Sequence, residues 1–296
     1  MRRRAIVIPI IAVVVVGVLA GAAAFAWSAT SNARHDSQDG RPVAERETPT
    51  PTPTVDPFPD ERLTPETRYV ALGDSFAAGM GAGGETGKCV SSPKSYPDVF
   101  AEESGVDLIA NASCSGATTS DLLKRQLIAL DDRTDLVTLS IGGNDLGVAD
   151  IASDCAAGKA IPCRNELSSA LSLLNVLPDR LDAVYAAVAK AAPNARIVVT
   201  GYAVMYDASD PNAPDFGMAA AINAATIGLN EVIRTAVDEQ RAKGVPMTFV
   251  GVDFDGHGIG NKSPWVNTSG FAAFHPTAAG YREYARALVR TLGKAQ

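Results

Sequence analysis

A serine that follows a short apolar segment is the residue best placed to do chemistry in this sequence. Tyr69 to Leu72 is apolar, with an aromatic and a β-branched residue, which predicts a buried strand. Gly73 ends that run, and Asp74 and Ser75 are residue types that begin helices. A serine hydroxyl at such a turn lies at the carboxyl edge of a sheet, where open α/β sheets bind ligands, and it can act as a nucleophile. An ordinary helix cap gives the same pattern, so the interpretation depends on what else reaches that edge.

Three further segments supply the groups that a nucleophilic serine needs. Gly116 lies in a run of small and capping residues, where glycine lets the backbone approach a ligand and present its N–H. Asn144 comes two glycines after the strongest strand pattern, and its amide is a suitable donor to a developing oxyanion. His275 precedes Pro276 at the predicted start of the last helix. Its imidazole can take a proton from the serine and return it to the leaving group.

The other two histidines are poorer candidates for a catalytic base. His35 lies in a polar segment rich in proline and threonine. His257 lies in a glycine-rich loop, where a surface or structural role is the better interpretation.

Strand-like and helix-like segments alternate from residue 68 onward. The strand-like runs cover residues 69–72, 108–110, 136–141, 197–200 and 247–252. The helical patterns cover residues 93–103, 119–130, 167–191, 219–243 and 276–292. This alternation predicts an α/β fold, a three-layer α/β/α sandwich around a central, mostly parallel five-stranded sheet. Residues 68–296 are long enough to form one such domain.

These motifs, in this order, resemble the SGNH hydrolase superfamily of GDSL-type esterases and lipases, which has a flavodoxin-like sheet. The resemblance covers the chain from about residue 68 to its end and lies in four blocks: Gly73-Asp74-Ser75, Gly116, Gly143-Asn144-Asp145 and His275. It implies that Ser75 is the nucleophile and His275 the general base. It also implies an oxyanion hole made by the Ser75 N–H, the Gly116 N–H and the Asn144 amide. Neither a cofactor nor a metal is implied, and the histidines and cysteines lack the spacing of metal ligands.

The group that orients His275 departs from the common family pattern. Many members carry an aspartate three residues before the histidine, where this chain has Ala272. The chain is similar to an actinobacterial branch of secreted esterases with a Ser–His dyad, in which a backbone carbonyl at that position orients the imidazole. The resemblance therefore implies that the Ala272 carbonyl takes this role. A carboxylate from Asp253 or Asp255 is the alternative, because such sites are assembled by geometry rather than by sequence position.

The domain contains four cysteines, Cys89, Cys114, Cys155 and Cys163. An even number in an exported protein predicts two disulfides, for which three pairings are possible. The nearest-neighbour scheme pairs Cys89 with Cys114 and Cys155 with Cys163.

The first 27 residues have the pattern of a segment that enters a membrane. Three arginines precede Ala5–Trp27, which carries no charge. That run can cross the hydrocarbon core, which takes about 20 helical residues, whereas a signal peptide has an apolar region of about 7–15 residues. We favour a membrane anchor over a cleaved signal peptide for residues 1–27. Both place the remainder outside the cytoplasm.

Composition limits the partners of the rest of the chain. Residues 28–67 are rich in proline and threonine, which predicts a disordered linker. The net charge of -7 and the pI near 5.0 argue against a nucleic-acid partner. We expect the chain to act as a monomer.

The sequence thus predicts an extracytoplasmic serine esterase or lipase that hydrolyses a small-molecule or lipid ester. An O-deacetylase of cell-wall or extracellular sugars is the alternative enzyme. An inactive carbohydrate-binding module on the same fold is a third hypothesis. The presence of Ser75, Asn144 and His275 together counts against it.

Overall fold

A five-stranded parallel sheet organises the molecule. The computed structural model describes residues 62–209 and 216–296. The strands are β1 (Arg68–Gly73), β2 (Asp107–Asn111), β3 (Leu136–Ser140), β4 (Arg196–Thr200) and β5 (Met247–Val250). They pair in the order β2-β1-β3-β4-β5, and every pair is parallel. This is the flavodoxin-like order, in which the progression of strands reverses between β1 and β3 and leaves a crevice at their carboxyl ends. The predicted sheet is confirmed.

Helices pack on the sheet within the described residues. They are α1 (Ser75–Ala78), α2 (Tyr96–Ser104), α3 (Thr119–Arg125), α4 (Val148–Ala156), α5 (Ala160–Leu173), α6 (Leu177–Ala191), α7 (Phe216–Ala242) and α8 (Ala278–Leu292). Helix α2 packs against α8, while α6 packs against α3 and α7, so two helical groups flank the sheet. The predicted three-layer sandwich is confirmed.

Two helix predictions were wrong in detail. The segment 167–191 is not one helix, because α5 ends at Leu173 and α6 begins at Leu177. Pro178 in the first turn of α6 has no N–H to continue the helical ladder and fits only near a helix start. Helix α4 was not predicted at all. The last helix begins at Ala278 rather than Pro276, with the Thr277 hydroxyl accepting the Gly280 N–H.

Strand register brings the loops after β1 and β3 to one edge. Gly73 is paired with Ser140, the last residue of β3. All five residues of β3 and of β4 are buried, as expected for central strands covered by helices on both faces. The residues that follow β1 and β3 therefore start side by side.

The two ends of the described chain meet at the opposite edge. The backbone N–H of Gln296 donates to the carbonyl of Leu63 at 3.1 Å, and the N–H of Ala295 donates to Ser104 at 2.8 Å. Leu63 belongs to the predicted linker, yet its side chain is packed in the core. Residues 28–61 of that linker and the predicted anchor, residues 1–27, lie outside the described residues.

Both predicted cysteine pairs of the nearest-neighbour scheme are disulfides. Cys89 is bonded to Cys114, and Cys155 to Cys163. The first bridge ties the loop before α2 to the loop after β2, and the second ties α4 to α5. Among the described helices, α7 alone is long and apolar enough to cross a bilayer. Its residues Ile222, Leu229 and Ile233 are instead packed in the core.

Candidate active site

The turn from β1 into α1 presents Ser75. Gly73 has a φ of +135°, and a Cβ there would lie 2.3 Å from the carbonyl oxygen of Ser140, so only glycine fits. The side-chain amide of Gln126 holds the turn, because it accepts the Gly73 N–H at 2.7 Å and donates to the Gly73 carbonyl at 2.8 Å. Asp74 caps α1 by accepting the Phe76 N–H at 3.0 Å. Ser75 is thus the first residue of a helix, where N–H groups have no intrahelical partner.

Ser75 and His275 form a hydrogen-bonded pair. Their Oγ and Nε2 atoms are 2.8 Å apart. On the other side of the ring, Nδ1 lies 3.1 Å from the carbonyl oxygen of Ala273. Because a carbonyl can only accept, it fixes the tautomer in which Nδ1 carries the proton and Nε2 is free to accept the serine proton. The pair has the geometry of a nucleophile and its general base.

The structure places the carbonyl of the next residue, Ala273, beside the ring, and the predicted Ala272 carbonyl also acts on the imidazole. The carbonyl hydrogen-bonded to Nδ1 belongs to Ala273, whereas the Ala272 carbonyl accepts the backbone N–H of His275 at 3.0 Å. Phe274 has a φ of +64°, which turns the peptide between it and Ala273 so that this carbonyl faces the ring. The Asp253 carboxylate instead accepts the N–H of Asp255, and neither aspartate is hydrogen-bonded to His275 within the described residues.

Asn267 holds the loop that carries the base, a role that sequence reasoning missed. Its backbone exchanges hydrogen bonds with Phe274 and His275 at 2.8 and 2.9 Å. Its side-chain amide donates to the carbonyls of Gly81, His275 and Pro276. Asn267 therefore joins the histidine loop to the segment after α1. No local motif marks it, because its partners are distant in sequence.

Burial keeps the His275 imidazole neutral. Desolvation lowers the pKa of His275 below its ordinary value of 6.5, and the carbonyls of Ala273 and Ala272 only partly oppose this shift. The imidazole is therefore uncharged at neutral pH, which is the state that accepts a proton.

Gly116 and Asn144 face the same cavity as Ser75 and His275. Gly116 has a φ of +82° and open space around its Cα, so its backbone can approach a ligand. The Asn144 amide donates one N–H to the Ala117 carbonyl at 3.0 Å, which leaves its second N–H for another acceptor. In the described part of the chain, the N–H groups of Ser75 and Gly116 have no hydrogen-bond partner.

Asp145 connects the loops that carry Gly116 and Asn144. Its carboxylate accepts the backbone N–H and the hydroxyl of Thr119 at 2.8 and 2.6 Å. Arg180 donates to the same carboxylate at 3.1 Å. The start of α3 is thereby fixed against the end of β3.

The site opens into a cavity of about 700 Å³. Its wall is mainly apolar and comes largely from α4, α5 and α7, together with the histidine loop. Lining residues include Leu146, Ile151, Leu167, Ala170, Ile222, Ala225, Leu229 and Phe271. A cavity of this size and lining suits an apolar chain, with polar groups concentrated at one end.

The remaining candidates stay outside this arrangement. The His257 ring stacks on Trp265 with centroids 3.7 Å apart, and its Nδ1 lies 2.9 Å from the Ser263 carbonyl, which indicates a structural role. His35 lies outside the described residues. Among the residues that the structure describes, no group of three or more histidine, cysteine or acidic side chains could hold a metal ion.

Comparison with known proteins agrees with this fold. The GDSL-like Lipase/Acylhydrolase family matches residues 71–283, and the chain belongs to that family. Lipase 1 of Streptomyces coelicolor is 36% identical over 232 residues, covering 72% of this chain and 81% of the relative. A lipase of Streptomyces rimosus is 37% identical over 225 residues, covering 72% and 82%.

Two solved structures resemble the fold closely. They are an extracellular lipase from Streptomyces rimosus and a phospholipase A1 from Streptomyces albidoflavus, at 36% and 35% identity. Each has a TM-score of 0.68, covering 76% of this chain and 99% of the solved chain. The chain is a carboxylic ester hydrolase of the α/β class, as the sequence predicted.

Proposed function

We propose that the protein hydrolyses esters of apolar acyl chains through an acyl-enzyme on Ser75. The observation that carries this proposal is the 2.8 Å contact between Ser75 Oγ and His275 Nε2 at the polar end of an apolar cavity. The cavity suits an acyl chain, whereas an acetyl group would leave most of its 700 Å³ empty. The sugar deacetylase alternative is therefore disfavoured.

The reaction follows from the contacts. His275 Nε2 removes the hydroxyl proton as Ser75 Oγ attacks the ester carbonyl, and the carbonyl electrons move to its oxygen. The N–H groups of Ser75 and Gly116 and the Asn144 amide stabilise that oxyanion. His275 then protonates the leaving alcohol, and the C–O bond breaks. Water, deprotonated by His275, attacks the acyl-enzyme; the bond to Ser75 Oγ breaks, His275 returns the proton to Oγ, and the acid is released.

The uncharged partner of His275 shapes this mechanism. The Ala273 carbonyl fixes the tautomer, but it compensates the charge of an imidazolium less than a carboxylate does. The proposed site is thus a Ser–His dyad, in which hydrogen bonds to the oxyanion carry much of the stabilisation of the transition state.

We also propose that this reaction takes place outside the cytoplasm. Two disulfides support this location, because such bonds persist in oxidising compartments. The similar Streptomyces rimosus lipase is described as extracellular. Residues 1–27 would anchor the chain or direct its export, and a monomer suffices because one chain supplies every proposed catalytic group.

Hydrolysis of p-nitrophenyl esters by the purified chain tests the proposal. We expect acyl chains longer than acetyl to be cleaved best, and Ser75→Ala and His275→Ala each to lose at least 10³-fold in kcat. Ser120→Ala, an exposed residue of α3, is the matched control and should keep full activity. A folded Ser75→Ala protein with wild-type activity would rule the mechanism out, and a preference for acetyl esters would favour the deacetylase.

A further inference from the structure

The hydroxyl of Tyr202 connects the two sides of the site, and the reaction described above makes no use of it. Tyr202 follows β4 and lines the cavity. Its hydroxyl donates to the Asp74 carboxylate at 2.5 Å and accepts the backbone N–H of Gly143 at 3.0 Å. Asp74 directly precedes the nucleophile Ser75, and Gly143 directly precedes Asn144.

Tyr202 is itself held firmly. The side-chain amide of Asn230 on α7 accepts the Tyr202 N–H at 2.8 Å and donates to the Tyr202 carbonyl at 2.7 Å. The residue is 4% exposed, and its ring packs edge-on against Phe76 with centroids 4.9 Å apart. The phenol therefore has a fixed position relative to the start of α1.

The glycine at position 143 fits this tyrosine. Gly143 has φ -58° and ψ -46°, a helical conformation that any residue adopts, so its dihedral angles do not require glycine. A Cβ at this position would lie 3.2 Å from the Tyr202 Oη and 3.3 Å from its Cζ. The close approach of the Tyr202 phenol therefore explains why position 143 is a glycine.

We propose that Tyr202 is a positioning residue for the oxyanion hole, holding Gly143 and the adjoining Asn144 amide at a fixed distance from the Asp74–Ser75 turn. This inference rests on the proposed function, because it takes Asn144 as a donor to the oxyanion. A displacement of about 1 Å at a catalytic group can cost about 10²-fold in rate. Removing the hydroxyl breaks the link between Gly143 and Asp74, so the Asn144 amide, still bonded to the Ala117 carbonyl, is held less closely at its distance from the Asp74–Ser75 turn.

Tyr202→Phe in the full chain is the first test. We expect kcat for a p-nitrophenyl ester to fall about 10- to 100-fold, with KM within twofold of wild type, because the hole acts in the transition state. Tyr185→Phe is the matched control. Its hydroxyl on α6 is also buried and has no hydrogen-bond partner in the described residues, and it lines no part of the cavity. This control should keep kcat within twofold.

A thionoester supplies a readout that a general loss of packing would not move. Sulfur accepts hydrogen bonds more weakly than oxygen, so an intact hole favours the oxygen ester over the p-nitrophenyl thionoester. The ratio of the two rates should fall in Tyr202→Phe and stay unchanged in Tyr185→Phe. A folded Tyr202→Phe enzyme with wild-type kcat and rate ratio would overturn the proposal, as would a loss expressed in KM alone.

Gly143→Ala keeps the proposal testable if Tyr202→Phe does not fold, as judged by circular dichroism. The added methyl group pushes the backbone away from a phenol that Asn230 keeps in place, so the same fall in kcat and rate ratio is expected. If both variants fold, the double variant should lose less than the product of the single losses, because both act on one contact. Full activity in Gly143→Ala would overturn the inference. Failure of the proposed function is distinguishable, because wild type would then hydrolyse no acyl ester.

Discussion

At the scale of single residues, two buried titratable groups line the cavity, and burial shifts their pKa values in opposite directions. Desolvation lowers the pKa of the His275 imidazole and raises the pKa of the Asp74 carboxyl to about 7. Hydrogen bonds from Tyr202 and from the Phe76 N–H favour the Asp74 carboxylate, but they only partly offset its burial. The His275 imidazole is therefore uncharged at neutral pH, as its proposed role as a base requires, whereas Asp74 is near its titration midpoint.

The pH dependence of catalysis should follow the titration of His275. Since the neutral imidazole is the active form and its pKa is lowered, we expect kcat/KM to fall with decreasing pH only below 6.5. A pH profile of p-nitrophenyl ester hydrolysis from pH 4 to 9 measures this. If kcat/KM instead falls below about pH 7, and this fall disappears in Asp74→Asn, the titrating group is Asp74 and the assignment to His275 is wrong.

The pH dependence of the protein's stability should follow the titration of Asp74. Its pKa is higher in the folded than in the unfolded state, so the folded state binds more protons, and the free energy of unfolding falls as pH rises from about 4 to 7. Asp74→Asn removes this loss and keeps an acceptor for Tyr202. We expect the variant to gain roughly 2–4 kcal/mol relative to wild type between pH 4 and 8. Urea unfolding of both proteins at pH 4 and at pH 8 tests this. A difference in the free energy of unfolding that stays the same at the two pH values would contradict it.

At the scale of elements, the site residues come from the ends of strands and the starts of helices, and this explains what the sequence could predict. The run 69–72 and the caps after it are local patterns, so Ser75 was placed correctly. The sequence did not predict the helices of the cavity wall. No helical pattern marked α4, and the single helix predicted over 167–191 is divided near Pro178. The hydrogen bond between Nδ1 of His275 and the Ala273 carbonyl was not predicted, because it depends on the positive φ of Phe274, which no sequence pattern marks.

Helix α5 should set the length of the acyl chain. Ala170 is 4% exposed and faces the cavity, so Ala170→Leu would fill part of it without crowding the sheet. We expect activity on the longest acyl esters to fall about tenfold relative to butyryl esters, since a shortened cavity excludes terminal methylenes worth about 0.8 kcal/mol each. Ser169→Leu, on the exposed side of α5, is the control and should keep the wild-type profile. Identical profiles for all three proteins would place the acyl chain elsewhere.

At the scale of the whole molecule, the two disulfides brace the loops and helices around one edge of the sheet. Cys114 lies two residues before Gly116, and the other bridge joins α4 to α5, two of the three helices of the cavity wall. The sheet and its flanking helices form the core without them. The bridges therefore stabilise the edge of the sheet that carries the site, where loops rather than strands supply the proposed catalytic groups.

The two bridges should differ in their contribution to stability. The sequence separations are 25 and 8 residues, and closing a longer loop restricts the unfolded chain more. We expect Cys89→Ser/Cys114→Ser to cost about 3.5 kcal/mol and Cys155→Ser/Cys163→Ser about 2.5 kcal/mol. Guanidinium unfolding of both double variants beside wild type measures the difference. A larger loss for the shorter loop would show that strain or packing outweighs chain entropy.

The contact between Leu63 and Gln296 suggests that the fold would tolerate a different order of its elements along the chain. Helix α8 carries the chain about 22 Å away from the histidine loop, so Gln296 meets Leu63, near the start of the described residues, at the edge of the sheet remote from the proposed site. A few residues would close that gap, and the exposed turn at Gly244 offers a place to open the chain instead. Such a circular permutant would keep every neighbour in space while Ser75 and His275 exchanged their order in the sequence. We therefore expect activity to depend on the geometry at this edge of the sheet and not on the order of Ser75 and His275 in the sequence.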